Sequence, residues 1–277
     1  MDKGIFQLSN EDCLVGMKKM EDESVNLIIT DPPFNIGKKY DSPFKDSIEK
    51  SKYIDWCKEW LTECIRILKP KGSLYLFNYP ENNAYLLPFL DEQNSMLFKN
   101  WITWHYHVNT GNSPYKFTRT QHSILFYSKS KKPADIVFNK NEVIQPYKNP
   151  TDKRIQKRMK EGHMGTVHYD VFSEDEDDGT DYIKMNIVKN VSKDKTEHIA
   201  QLPVGLIDKF VRASSNPGDI VFDPFLGSGT VAVSAIQNKR KFVGFEISSV
   251  YAEIAEERVN EIITDKLKII VRNKKER

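Results

Sequence analysis

Two short strings hold residues able to do chemistry. The first is Asp31-Pro32-Pro33-Phe34. Two prolines fix the backbone and bring no N–H of their own, so the carbonyls around them lack local donors. A planar amine, NH2, placed beside such a turn finds two acceptors: the Asp31 carboxylate for one N–H and the Pro32 carbonyl for the other. Both bonds draw the nitrogen toward a tetrahedral shape and free its lone pair for attack on an electrophilic methyl. Positioning supplies most of such an effect. Phe34 adds a face on which a flipped base can stack, worth roughly 1–3 kcal/mol. A rigid proline turn with no chemistry is the other reading of the same residues.

The second string is Val221-Phe222-Asp223-Pro224-Phe225-Leu226-Gly227-Ser228-Gly229-Thr230. It reads as a strand running into a glycine-rich turn that opens a helix. Glycines let the backbone approach a ligand and adopt positive φ, and free amides at a helix start attract a carboxylate. Glu246 closes the next predicted strand, where an acidic side chain can accept from ribose hydroxyls. The string lacks both the GxGxxG of dinucleotide folds and the Gly-Lys-Ser/Thr of phosphate loops. A tight strand-to-helix connection without a ligand remains the alternative.

Both strings need elements to hold them. Val25–Thr30 is a short apolar run closed by the prolines, hence a buried parallel strand. Helical spacing from about Ile48 to Leu68 brings Tyr53, Trp56, Trp60, Cys64 and Ile67 to one side, and Lys69-Pro70-Lys71-Gly72 stops it. Ser73–Phe77 follows as a strand, and Tyr79–Leu90 as a helix. Trp101–Val108 and His122–Ser128 are rich in β-branched and aromatic residues and read as strands. After a polar middle the alternation resumes: helix Pro203–Ala213, strand Asp219–Asp223, helix Gly229–Gln237, strand Lys241–Glu246 and helix Val250–Ile263. Strands alternating with helices predict an α/β, doubly wound, mostly parallel sheet of the Rossmann-like kind. We divide it into a catalytic half (1–129), an inserted recognition lobe (130–194) and a second half around the glycine turn (195–277).

Composition narrows the function classes. The chain has 277 residues, enough for one large domain with an insertion. No apolar run of about 18 residues predicts a membrane span, and the opening MDKGIFQLSNEDC does not read as a secretory signal. Three cysteines, Cys13, Cys57 and Cys64, lack CxxC spacing and suit reduced thiols in the cytoplasm. The histidines show no ligand spacing, so no metal is expected. Net charge is only +2, but Lys129 to Lys160 holds ten basic residues against three acidic ones. Within it Lys153, Arg154, Lys157 and Arg158 are candidates for phosphate contacts, as are Tyr115, Lys116 and Arg119 in the loop before the His122 strand. A solvated basic face is the plainer reading. The acidic run Glu174–Asp178 reads as a loop.

Taken together, the strings resemble the DNA amino-methyltransferases of the permuted beta class, the N6-adenine and N4-cytosine enzymes of restriction-modification systems. DPPF looks like their catalytic motif and FDPFLGSGT like their S-adenosylmethionine motif, and the order, catalytic first and cofactor last, is that of the permuted class. The resemblance extends over the chain apart from the middle lobe. It implies that Asp31, Pro32, Pro33 and Phe34 are catalytic. It implies cofactor contacts from Phe222, Asp223, Pro224, Phe225, Gly227, Ser228, Gly229 and Thr230, with Asp31 at the border and Glu246 on the ribose. Asp12 and Cys13 look like the pair that meets the cofactor adenine. His198 and Gln201, in HIAQLP, look like the piece closing the methionine pocket, although three of its six positions depart from the usual His-Pro-Thr-Gln-Lys-Pro. Asp31 at the first catalytic position favours N6 of adenine, with N4 of cytosine as the alternative. The implied partners are double-stranded DNA, a homodimer and a cognate restriction endonuclease, with no membrane. An oxidoreductase would explain the fold but not DPPF. RNA or protein methyltransferases usually keep the unpermuted order. A non-catalytic DNA-binding protein would not need the turn.

Overall fold

Apolar runs bounded by turns assemble into one sheet in the computed structural model, which describes residues 5–40, 45–106, 114–130, 132, 135–167, 170–172 and 201–275. The strands are β1 (Phe6–Ser9), β2 (Val25–Thr30), β3 (Leu68–Asn78), β4 (Met96–His105), β5 (Gln121–Lys129), β6 (Ile144–Gln145), β7 (Thr166–Val167), β8 (Val171–Phe172), β9 (Ile220–Asp223) and β10 (Lys241–Phe245). The helices are α1 (Cys13–Met17), α2 (Lys50–Ile67), α3 (Pro80–Asp91), α4 (Lys153–Lys160), α5 (Val204–Ser214), α6 (Thr230–Gln237) and α7 (Ser249–Lys275). Eight strands form the main sheet in the order β1-β10-β9-β2-β3-β5-β4-β8. Five of its neighbouring pairs are parallel, and only β5 runs against its neighbours β3 and β4.

Both faces of the sheet are covered, as near-continuous apolar strands require. On one face, Val25, Ile28, Leu74, Leu76 and Phe222 pack against Tyr53, Cys57, Trp60, Leu61 and Cys64 of α2, with Cys13 and Met17 of α1 and Leu86 and Leu90 of α3. On the other, Leu27, Ile29, Tyr75, Phe77 and Val221 meet Leu206, Ile207 and Phe210 of α5, Val231 and Ala235 of α6, and Ala255 and Val259 of α7. Residues 27, 28 and 29 thus alternate between two cores, which is the period-two signature of a central strand.

The structure corrects several expectations. Lys69–Gly72 does not end in open coil: β3 begins at Leu68, and pairing with β2 jumps from Val25↔Leu68 to Leu27↔Ser73. The extra residues form a bulge with Lys71 at φ 70°. A Cβ on Gly72 would lie 2.8 Å from the Asn26 carbonyl oxygen, so the close backbone approach excludes any side chain there. β4 starts five residues before Trp101 and stops short of Val108, since its antiparallel pairing with β5 runs from Met96↔Lys129 to His105↔Gln121. β1 and α1 carry too few periodic residues to have been legible.

The expected insertion is less separate than its composition suggests. A 3-10 turn at Lys140–Val143 and the pair β6–β7 lie within it. At its start, the Asn139 N–H donates to the Ala213 carbonyl at 2.7 Å, and its Nδ2 reaches the Arg212 and Ser215 carbonyls, pinning it to the end of α5. At its far side, β8 extends the main sheet beside β4. The Glu174–Asp178 run lies outside the described residues. Among the described residues, no helix is long and apolar enough to cross a membrane.

Candidate active site

The two strings meet because β2 pairs in parallel with β9, through Leu27↔Val221 and Ile28↔Phe222. Both strands point their carboxyl ends the same way, so the proline turn and the glycine turn leave the same edge of the sheet. Ligands of open α/β sheets bind at such an edge. A cavity of about 340 Å³ opens there, lined by Asp31, Pro32, Pro33 and Phe34 on one side and by Asp223–Ser228, Thr230 and Glu246 on the other.

Carboxylates shape the glycine side. Asp223 accepts the Phe225 N–H at 3.0 Å. Glu246 accepts the Gly227 N–H at 2.8 Å and the Ser248 N–H at 2.9 Å, binding the turn to the end of β10. Each oxygen keeps acceptor capacity beyond these bonds. Gly229 caps α6 at φ 81°, and a Cβ there would stand 2.8 Å from that of Ala255. Arg258 of α7 donates to the carbonyl and hydroxyl of Ser228. Asp12 caps α1 by accepting from Leu14 at 2.9 Å while still bordering the cavity, beside Cys13. Burial raises the carboxyl pKa of Asp223, with Asp31 and Glu246 adding repulsion, and burial likewise raises that of Glu246. A site this poor in cations and rich in hindered carboxylates suits a positively charged ligand.

On the proline side, a scaffold fixes the carbonyls. Tyr53 donates its hydroxyl to the Pro33 carbonyl at 2.7 Å, and Asn82 donates to the Phe34 carbonyl at 2.9 Å. Asn78 links them, donating to the Tyr53 hydroxyl and accepting from Asn82. Those two carbonyls are thus held in place by the scaffold, and the Asp31 carboxylate and Pro32 also border the cavity. The Asp31 Oδ1 is shut off from solvent without a hydrogen-bond partner among the described residues. Burial pushes the Asp31 carboxyl up to about 7, and Lys38 acts in the opposite direction. The loop carrying Lys38 is folded around buried Asp46, which accepts the Asn35 N–H at 2.6 Å and the Lys38 N–H at 2.9 Å.

Beyond Asp31 the cavity is aromatic. Phe34 lies 5.1 Å from the Tyr79 ring and 5.2 Å from His122, and the His122 ring is 5.2 Å from Trp104 and 5.4 Å from Tyr106. The His122 pKa is pushed down to about 3, first by burial and then by Lys38 and Arg119, so the ring is neutral. The Arg119 guanidinium sits 3.8 Å over the Tyr79 ring and pairs with Glu81. The result is a slot of π faces beside a carboxylate, the shape a flat heteroaromatic amine requires.

Of the expected residues, Asp12, Cys13, Asp31, Pro32, Pro33, Phe34, Gln201, Asp223, Pro224, Phe225, Gly227, Ser228, Thr230 and Glu246 all border this cavity. Phe222 does not: one position before the turn, it points into the opposite core and is fully buried against Phe245. Gly229 acts through backbone conformation behind the wall. His198 lies outside the described residues. Tyr115 and Lys116 are exposed, and Lys153, Arg154, Lys157 and Arg158 lie on α4, which buries none of its residues. Arg154 is tied to its own helix cap, Asp152, at 3.3 Å. No group of metal ligands exists among the described residues. Sequence reasoning missed Lys38, Tyr40, Tyr79, Trp104, Tyr106 and Tyr251; His122 lies in the stretch Arg119–Lys129, whose resemblance to a base-pocket strand fixes no individual role. Trp104 and Tyr106 alternate at period two, a signal that could have placed them on one face.

Comparison with known proteins gives the family of the chain. The DNA methylase family matches residues 25–257. Type II methyltransferase M.HpaI of Haemophilus parainfluenzae is 32% identical over 88% of the chain and 71% of its own length. DNA adenine methyltransferase YhdJ of Escherichia coli (strain K12) is 34% identical over 90% of the chain and 81% of its own length. Type II methyltransferase M1.MboII of Moraxella bovis is 32% identical over 93% and 98%. Among solved structures, M1.HpyAVI covers 92% of the chain and 99% of its own at a TM-score of 0.62 and 22% identity. The cytosine-N4-specific PvuII DNA methyltransferase covers 95% and 94% at 0.62 and 18%. These last two share the fold.

Two measurements follow from the geometry. Gly229→Ala imposes positive φ on a side chain against Ala255, and its urea unfolding should lose roughly 1–3 kcal/mol; an unchanged midpoint would show that the turn relaxes freely. In a carbon-13 titration the Asp31 carboxyl should turn over near 7, and Lys38→Met should move it higher because a cation that favours the charged form is gone. A midpoint near 4, or a downward move in the variant, would contradict the burial argument.

Proposed function

The chain belongs to the DNA methylase family, and we propose that it transfers a methyl group from S-adenosylmethionine to N6 of adenine in duplex DNA, the target base leaving the stack to reach the site. The observation that supports this most is the single cavity joining a carboxylate-lined glycine turn to a proline turn with an unpartnered carboxylate oxygen. The donor set suits the cofactor: Asp223 and Glu246 oppose its cationic groups and ribose hydroxyls, and Asp12, Cys13 and Gln201 border the same cavity. When bound, S-adenosylmethionine supplies an electrophilic sulfonium methyl. Asp31 and the Pro32 carbonyl accept the two N–H bonds of the target amine and aim its lone pair. Phe34, Tyr79, Trp104, Tyr106 and His122 hold the base plane by stacking and edge contacts. An amine that gained the methyl would have to shed one proton. Asp31, with a pKa lifted to about 7, can accept it.

DNA contacts come from Lys153, Arg154, Lys157 and Arg158 on α4 and from Tyr115, Lys116 and Arg119 beside the aromatic slot. The phosphate term they supply is salt-dependent. The names of the type II relatives support a cognate restriction endonuclease as a partner of this chain, and resemblance to the class supports a homodimer.

Incubation with methyl-labelled S-adenosylmethionine and mixed-sequence DNA, followed by digestion, should yield labelled N6-methyladenine. Labelled N4-methylcytosine would transfer the proposal to the other base, and absence of label from any DNA would refute it. Asp31→Ala should abolish labelling while cofactor binding by calorimetry persists; equal loss of both would overturn the division of labour between the turns. Replacing Lys157 and Arg158 by alanine should weaken DNA binding and flatten the slope of log K against log salt by about two. An unaltered slope would make α4 a solvated face.

A further inference from the structure

The aromatic slot explains how an extracted base is held but not what occupies the space it leaves. The segment entering β5 offers an answer. In the polar loop entering β5, Phe117 is 99% exposed and Tyr115 95% exposed, two large rings in water. Lys116 separates them, and Arg119 follows two residues after Phe117. The segment is anchored at the mouth of the slot. The Tyr106 N–H donates to the Thr120 carbonyl at 2.9 Å, Arg119 lies over the ring of Tyr79, which lines the cavity, and His122, two residues further on, forms part of the slot wall.

We propose that Phe117, with Tyr115 beside it, enters the DNA stack where the target base has left and fills the gap. Phe117 is then a positioning residue for the flipped state, and the inference rests on the DNA methylation proposed above. A base that leaves a duplex exposes two unstacked neighbours and an unpaired partner. An apolar ring inserted there restores stacking on both sides, as wedge side chains do at kinked steps. The charge pattern fits this occupant: a cation at Lys116 beside the ring can meet the phosphate next to the gap. A fully exposed phenylalanine pointing into empty solvent would otherwise gain nothing from burial on either side of the binding equilibrium.

The test uses the full chain. The methylated position is first mapped from wild-type product, and two duplexes are then made, one fully paired and one with a mismatch opposite the target base. On the paired duplex Phe117→Ala should lose roughly tenfold or more in kcat, with cofactor affinity and melting temperature unchanged, because the ring touches neither core nor cofactor cavity. Phe117→Trp should restore most of the rate. On the mismatched duplex, where extraction is already eased, the deficit of Phe117→Ala should shrink to within about threefold. A wild-type rate for Phe117→Ala on the paired duplex would overturn the wedge while leaving methylation standing. An equal deficit on both duplexes would do the same. If the wild type labels no DNA, the underlying reading and the wedge fall together.

Discussion

The parallel pairing of β2 with β9 is the constraint on which the rest depends. It places residues nearly two hundred positions apart side by side at the middle of the sheet, and every group at the site inherits its position from that contact. Strand pairs fix side-chain faces in steps of two. With Leu27 opposite Val221 and Ile28 opposite Phe222, both strands must end at the same level, so Asp31 and Asp223 come within electrostatic reach of each other. A slip of one residue would send Leu27, Ile28 and Ile29 to the wrong cores and carry the proline turn away from the cavity. The two apolar layers on the faces of the sheet therefore determine the chemistry as firmly as the polar residues do.

Around this contact the molecule spends many of its buried polar groups on fixing backbone rather than on touching a ligand. Tyr53 and Asn82 hold the Pro33 and Phe34 carbonyls, and Asn78 braces the Tyr53 hydroxyl. Glu246 holds the glycine turn, and Asp46 folds the Lys38 loop. Each of these polar groups is satisfied, which keeps its burial inexpensive. The Asp31 Oδ1 and the His122 Nδ1 differ: both border the cavity and neither has a hydrogen-bond partner among the described residues. Preorganisation of this kind matters most for a reaction whose main demand is alignment.

The elements that position the site were largely legible in the sequence, and for a physical reason. Val25–Thr30, α2 and the string from Val221 to Thr230 combine strong periodicity with local stop signals, so their boundaries agree with the structure to within two residues. The proline and glycine turns announce themselves because few residue types can adopt such backbone. The slot was harder to see. His122, Tyr79 and Lys38 come from three separate segments: the antiparallel return of β5 between β3 and β4 brings His122 to Phe34, whereas Lys38 arrives through the loop folded around Asp46. Phe222 was assigned to the ligand because it belongs to the motif string, whereas strand alternation turns its side chain into the core. The anchoring of Asn139 on α5 was equally hidden, since an isolated asparagine in a polar stretch carries no periodic signal.

Crowding three acidic groups, Asp31, Asp223 and Glu246, into one shielded space has a consequence for folding stability. Each has its carboxyl pKa raised in the folded state, so at these three sites the native chain binds more protons than the unfolded chain. By linkage, this contribution to folding stability is fully present below the unfolded carboxyl pKa of about 4 and is lost as pH rises through the folded value, which for Asp31 is about 7. These three carboxyls thus favour the folded state in mild acid and oppose it toward alkaline conditions, while buried His122, with its pKa lowered to about 3, works against that trend below its ordinary value; a cation bound among the carboxyls would ease their cost by holding them in their charged form.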